Sequence, residues 1–263
     1  MKNPISITFL AILLFLSSSI TIAQNNKIDS LKLVITNAQK DTNKVRALNS
    51  LAQEYRTVNY DTSLIYAEKA LKLSEELIDK KGIINSFKNI GISYYLQGDY
   101  NSALNSFLEE LKIKKELGDK KTIAASLLNI GAVYDEKGDY ANAIDYYTKC
   151  LKTSESIGFK KGIAYSLNNI GVIYLKQDDF DRAREFFYKS LTIKEELGDD
   201  KGIPSTLGNI GSCYKEQNNY LKALEYYNQS LILNKNLKNQ KGVGRDLSNI
   251  GSIYNIQKKY TLA

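Results

Sequence analysis

The chain has 263 residues, 43% of them hydrophobic and 25% charged, carries a formal net charge of +7, and contains neither His nor Trp. The missing His excludes imidazole general bases, Ser-His and Cys-His nucleophilic pairs and imidazole metal ligands. The basic excess is spread as single residues and short pairs such as Lys80–Lys81, Lys120–Lys121 and Lys160–Lys161, interleaved with Asp and Glu. That is the pattern of a solvated helix surface, not of a nucleic-acid face.

From the start, residues 1–23 read as a signal peptide: Lys2, an apolar stretch Ile5–Ile20, then small side chains at Thr21 and Ala23 that place cleavage before Gln24. The apolar stretch is shorter than the roughly 20 residues that span a bilayer. The mature chain is therefore expected to be exported, to the periplasm or cell envelope of a bacterium. Residues 24–41 are a lead-in in which Ile28, Leu31, Val34 and Ile35 share a helical face, suited to capping the array that follows.

Residues 42–82 form a divergent first unit, with stripes Leu48, Leu51, Ala52, Tyr55 and Leu64, Ala67, Ala70, Leu71 for two amphipathic helices. Regular units follow at about 83–122, 123–162, 163–202 and 203–242, with an incomplete one at 243–263. The tripeptide Asn-Ile-Gly recurs at Asn89, Asn129, Asn169, Asn209 and Asn249, always 40 residues apart. A fixed period of this size means stacked supersecondary units. In the unit 123–162, Leu127, Ile130, Gly131 and Tyr134 face inward from a first helix. Gly138 suits a helix end and Asp139 the next helix cap. Ala143, Tyr147, Cys150 and Leu151 face inward from a second helix, and Gly131 and Ala143 mark the close approach of the pair. Cys150 aligns with Glu110, Ser190 and Ser230, and Cys213 with Ser93, Val133, Ile173 and Ile253, so both are expected to be packed thiols and not partners in a disulfide.

On these residues the unit resembles the tetratricopeptide repeat, with Leu127, Ile130-Gly131, Tyr134, Gly138, Ala143, Tyr147 and Cys150 in its signature slots. The Trp slot is Phe or Leu, the closing Pro is absent, and the period is 40 rather than 34, as in the long form found in kinesin light chains and in mitotic-spindle adaptors with Leu-Gly-Asn repeats. The resemblance covers about Thr42–Ala263. It implies an all-α fold, a right-handed α-α superhelix of stacked antiparallel helix pairs. The layout is also similar to the exported sensor region of envelope signalling proteins of Bacteroidetes-type bacteria, where a histidine kinase, nucleotide cyclase or helix-turn-helix output follows. The sixth unit stops at Ala263, inside its second helix, so Leu247, Ile250 and Tyr254 are expected to be half covered and the chain to be a fragment.

No catalytic constellation is encoded, no phosphate loop and no metal or cofactor site; carboxylate pairs such as Glu109–Glu110 follow the repeat as solvated surface. What remains is a binding surface. In such stacks the first helix of each pair lines the concave side, and its outward residues become the candidate ligand readers: Asn89, Asn129, Asn169, Asn209 and Asn249, with Leu128, Asn168, Tyr95 and Leu175 beside them. A carboxamide offers a donor and an acceptor to one peptide unit, and similar families use the equivalent Asn in that way. The other use of the same residue is to bond the neighbouring repeat and fix the stacking. Neighbouring positions vary between repeats on a fixed frame, as a recognition surface does. The expected partner is an extended, partly apolar peptide or protein segment, with no nucleic acid or metal, and with a membrane only if a further C-terminal part anchors the chain. The two functions in play are an exported interaction scaffold and the sensor portion of a larger signal transducer.

Overall fold

The structure, a computed structural model, describes residues 26–257, and every regular element in them is a helix. These are α1 (residues 26–37), α2 (Thr42–Tyr55), α3 (Tyr60–Glu76), α4 (Lys80–Gln97), α5 (Tyr100–Leu117), α6 (Lys120–Glu136), α7 (Tyr140–Glu155), α8 (Lys160–Lys176), α9 (Phe180–Glu196), α10 (Ile203–Glu216), α11 (Tyr220–Asn236) and α12 (Gln240–Ile256). The chain divides into two compact units, one up to Glu116 and one from Leu117. In each, consecutive helices pair antiparallel and the pairs stack as a repeat solenoid. The expected signal peptide and the helix opening at Tyr260 lie outside the described residues.

The turns explain why the helices stop where they do. Gly98 and Gly138 take φ of +80° and +74° at the ends of α4 and α6, and Asp178 and Asn218 take the same left-handed conformation after α8 and α10. Asp and Asn tolerate it better than other side chains. The next residue then caps the following helix: the Asp139 carboxylate accepts from Asn142 N at 3.2 Å, Asp179 from Arg182 N and Asn219 from Lys222 N. Between pairs, Gly118, Gly158 and Gly198 take the left-handed conformation, and Ile78 and Lys238 hold it at the same register. A β-branched residue at φ of +54° carries backbone strain. Helix α10 begins three residues later than its register predicts, because Pro204 occupies its first turn, where a missing N–H costs nothing.

The core of each pair is one small residue against one ring. A Cβ added to Gly91, Gly131, Gly171 or Gly211 would lie 2.7, 2.5, 2.7 or 2.8 Å from Phe107, Tyr147, Phe187 or Tyr227. All four rings are buried. The first pair solves the same contact differently, with Ala52 and Ala67 meeting above Ile90. A second row of rings, which the repeat signature does not contain, stacks four of the first-helix tyrosines on a second-helix neighbour: Tyr55 on Tyr66, Tyr134 on Tyr146, Tyr174 on Phe186 and Tyr214 on Tyr226, at centroid distances of 5.6, 5.4, 5.4 and 5.7 Å.

At the start of the array, α1 buries Ile28 and half-buries Leu31 and Ile35, the last against Val45, Leu48, Ala70 and Leu73. Val34, expected on the same face, is 47% exposed. The step from Ile28 to Leu31 to Ile35 already defines the stripe, and Val34 lies one residue, about 100°, off it. In α12, Ile250 and Ile253 are buried against Ala223, Tyr227 and Leu231 and Tyr254 is half-buried, while Leu247 is 51% exposed. The expectation of half cover therefore fits Leu247 and Tyr254 but not Ile250, which α11 covers. No helix among the described residues is long and apolar enough to cross a membrane.

Candidate functional site

In the second unit successive first helices approach one another, α6 with α8, α8 with α10 and α10 with α12, and the backbones of successive second helices are held further apart. First helices therefore line the inner side of this stack, and their outward residues form a continuous strip. In the first unit α2 approaches α4 in the same way.

The asparagine row divides in two. Asn89 is fully buried, and its Nδ2 donates to Asn49 O at 3.2 Å and Asn49 Oδ1 at 2.8 Å. Asn49 in turn donates to Ser86 Oγ at 3.1 Å. Asn89 thus ties α4 to α2, the stacking use of the residue, and is not available to a ligand. Its partner Asn49 was legible: it stands 40 residues earlier, in register. Asn129, Asn169, Asn209 and Asn249 are half-buried, and among the described residues their carboxamides make no hydrogen bond.

Their neighbours are part surface and part core. Leu128 is half-buried against Ala143, Tyr147, Ile170 and Ile173, and Leu175 against Ala183, Phe187, Ile210 and Cys213. Tyr95 lies with its ring tilted against Tyr100 at 5.9 Å. Asn168 is engaged: its Oδ1 accepts from Thr206 Oγ1 at 2.9 Å. Asp135 pairs with Lys176 at 2.6 Å across two first helices. In the first unit, an open cleft of about 520 Å³ between α2 and α4 is lined by Arg46, Asn49, Gln53, Lys81 and Asn85. Arg56 also lies on this side. Burial lowers the Arg56 and Lys88 pKa values, and Arg56 lowers Lys88 further. Arg56 stands 39 residues before Tyr95, the offset already visible between Tyr55 and Tyr94, so applying that offset would have found it.

A buried polar row, which sequence reasoning missed, runs along the second helices where each meets the first helix of its own pair. Cys150 Sγ donates to Ala124 O at 3.1 Å, Ser190 Oγ to Ala164 O at 2.7 Å, and Ser230 Oγ lies 2.9 Å from Pro204 O, the same bond in three successive pairs. One turn on stand Lys114, Ser154, Lys194 and Asn234, all buried. Lys114 pairs at 2.6 Å with Glu110, which is fully buried and not the solvated surface residue expected, because it takes the packed slot of Cys150, Ser190 and Ser230. Lys194 donates to Thr206 Oγ1 at 2.7 Å and Gly202 O at 3.3 Å and lies 4.9 Å from the centre of the Tyr165 ring. Burial lowers its pKa to about 8. Both cysteines are buried and free, and burial pushes the Cys213 thiol up to about 12, which keeps it protonated and unreactive. Among the described residues no group of three metal-ligating side chains gathers.

The tetratricopeptide repeat family profile matches residues 47–116, 82–156, 122–196 and 162–236. No curated protein matches the chain significantly. Among solved structures, BtubC (BKLC) from P. vanneervenii superposes with a TM-score of 0.70 at 21% identity, over 82% of this chain and 92% of that one. A Signal Transduction ATPase with Numerous Domains with a tetratricopeptide repeat sensor, from Pyrococcus horikoshii, gives 0.71 at 19% identity, over 88% of this chain and 36% of that one. A Rap protein complexed with Competence and Sporulation Factor gives 0.63 at 17% identity, over 91% and 73%. At these identities the likeness is one of fold.

Proposed function

Because the chain belongs to the tetratricopeptide repeat family, a family of protein–protein interaction scaffolds, we propose that it is an exported, non-enzymatic scaffold that holds an extended peptide or protein segment on the face of its first helices. The observation that carries this reading is the contrast within one row of identical residues. Asn89 is consumed by Asn49, while among the described residues the half-buried carboxamides of Asn129, Asn169 and Asn209, on first helices of the second unit, make no hydrogen bond. A row of carboxamides at one repeat spacing suits a peptide backbone, since each can give one hydrogen bond and take one. The varied neighbours Leu128, Val172 and Leu175 add apolar contact that reads side chains. The likeness to a Rap protein with a bound factor is in keeping with this use of the fold.

Selection of a random peptide display library on the full mature chain tests the proposal. Enriched peptides are expected to bind the parent and to bind the Asn129→Ala/Asn169→Ala/Asn209→Ala variant at least about tenfold more weakly, the worth of one to two kcal/mol of lost hydrogen bonds, with thermal stability unchanged. Equal binding by the variant, or a collapse of its stability, would overturn it. Export rests on residues 1–23 and is checked separately: protein recovered from the envelope fraction should begin at Gln24.

A further inference from the structure

We propose that the recess between α6 and α8 takes one apolar side chain of an acidic, extended protein segment. This rests on the first-helix binding reading above and assigns the partner's chemistry. The recess is an apolar hollow of about 170 Å³ walled by Ala125 and Leu128 on one side and Phe159, Gly162 and Tyr165 on the other, with Lys161 at its edge. An apolar hollow of this size admits a benzene-sized group.

Three departures from the repeat converge there. Position 159 is the cap of α8, and its sisters at 40-residue intervals are Asp79, Asp119, Asp199 and Asn239. Asp119 accepts from Lys121 N and Thr122 N, and Asn239 from Gly242 N; Asp79 makes no cap bond, Asp199 precedes the later start of α10, and Phe159 has no side-chain acceptor with which to cap. Losing a cap costs about 1 kcal/mol, and the half-exposed ring regains little of that by burial. It folds down over Gly162, where a Cβ would stand 2.6 Å from its Cδ1. Tyr165 occupies the position of Asn85, Ala125, Ser205 and Arg245, and Leu128 that of Lys88, Asn168, Gly208 and Ser248. A local rule broken without a local gain marks a place kept for something else.

The charge at the rim names the flanks of the occupant. Lys121 Nζ lies 5.1 Å from the Phe159 ring centre and Lys161 Nζ 5.7 Å from that of Tyr165. Among the described residues neither ammonium has a carboxylate partner. Of the nearby carboxylates, Asp119 is engaged at the α6 N-terminus and Asp199 accepts from the hydroxyl of the wall residue Tyr165 at 3.2 Å, so neither is paired with these ammoniums. An exposed cation over a ring gains only about 0.5–1 kcal/mol, so an arriving carboxylate can draw both ammoniums to itself without disturbing the walls.

Fluorescence anisotropy on the full chain with three synthetic peptides tests this: an acidic peptide with a central Leu-Phe, the same peptide with Ser in place of that pair, and the same with Lys in place of its acids. Saturable binding of the first alone is expected, weakening as salt rises. Phe159→Asp restores the sister cap residue and should hold or raise Tm while weakening the acidic Leu-Phe peptide at least about tenfold, the worth of one large apolar side chain. Ala125→Glu, at an exposed helix position, should do the same by filling the recess with a carboxylate. No saturable binding, equal binding of the Ser peptide, or indifference to both variants would overturn the recess. Loss on replacing the three asparagines but not on Phe159→Asp would overturn the recess and leave the groove; loss on Phe159→Asp alone would support the recess and count against the asparagines.

Discussion

At the scale of single residues, register tells where a side chain sits but not what it meets. Asn89 and Asn129 both open an Asn-Ile-Gly, yet one is a buried clamp and the other is half-buried. An asparagine stands 40 residues before each, Asn49 and Asn89, so the preceding repeat does not separate them; the bond does, Asn49 Oδ1 accepting from Asn89 at 2.8 Å. The repeat spacing, and with it Asn49 as the neighbour, was legible; that its oxygen accepts was not, because register fixes a position and not the direction of a side chain. Lys194 was still less legible: a lysine near the end of a charged helix reads as solvent-facing, and only the stacking of α10 on α9 encloses it. It is buried without a carboxylate on its ammonium, and its pKa falls to about 8 from an ordinary 10.5. Below pH 8 the ammonium is charged in both states and its burial penalty is complete. Between pH 8 and 10.5 the folded chain has released the proton and the unfolded chain still holds it, so this contribution to stability rises with pH. Lys194→Met, which keeps the length and drops the charge, is therefore expected to raise Tm by several degrees at pH 7, and the gain should shrink by pH 9.5. A Tm advantage independent of pH would mean that packing, not charge, is responsible.

At the scale of the helix pair, the sequence marks Gly131 and Ala143 as the close approach and assigns the large residues to the space between pairs, whereas the ring of Tyr147 packs on Gly131 within the pair. What it does not show is how tight the contact is. The ring of Tyr147 lies where a Cβ on Gly131 would need to be, at 2.5 Å. Gly131→Ala should therefore cost about 1–3 kcal/mol by overpacking, and Tyr147→Ala about 3–5 kcal/mol by leaving a void. The first pair indicates how the two changes combine, since Ala52 and Ala67 occupy that contact and are both fully buried. The double variant Gly131→Ala/Tyr147→Ala should cost at least about 1 kcal/mol less than the sum of the single variants, because the added methyl enters space the ring has left. Urea unfolding of the four proteins measures this directly. Strict additivity would show that the glycine is kept for some reason other than the ring. The second ring row escaped sequence reading for a related reason: Tyr146, Phe186 and Tyr226 precede the recognised aromatic slot by one residue, and one residue turns a helix by about 100°, onto a neighbour that only the crossing of the pair brings near.

At the scale of the whole molecule, the architecture was the most legible feature, since a period is a property of the entire chain and survives local exceptions such as Pro204 and Phe159. The same periodicity determines how stability is distributed. In a stack each pair touches only the next, so stability is approximately a sum of pair terms and nearest-neighbour terms, and damage need not spread. In the second unit Ile173 and Ile253 occupy corresponding positions, both fully buried, the former among Ala143, Tyr147 and Ile170, the latter among Ala223, Tyr227, Leu231 and Ile250. Each Ile→Ala change removes the same side chain and should cost about 2–5 kcal/mol locally. Ile173 has packed pairs on both sides, whereas Ile253 lies in α12, the last described helix. Hydrogen exchange on Ile253→Ala is expected to quicken amides of α11 and α12 by one or more orders of magnitude and to leave α7 and α8 at their original rates. Ile173→Ala should quicken α7, α8 and the helices on either side together. If both variants loosened α6 through α12 to the same degree, the unit would fold as one cooperative body and the additive picture would fail. If they behave as expected, Asn129 and Asn169 on α6 and α8 rest on neighbours whose order does not depend on α12, and the proposed binding face can be dissected pair by pair.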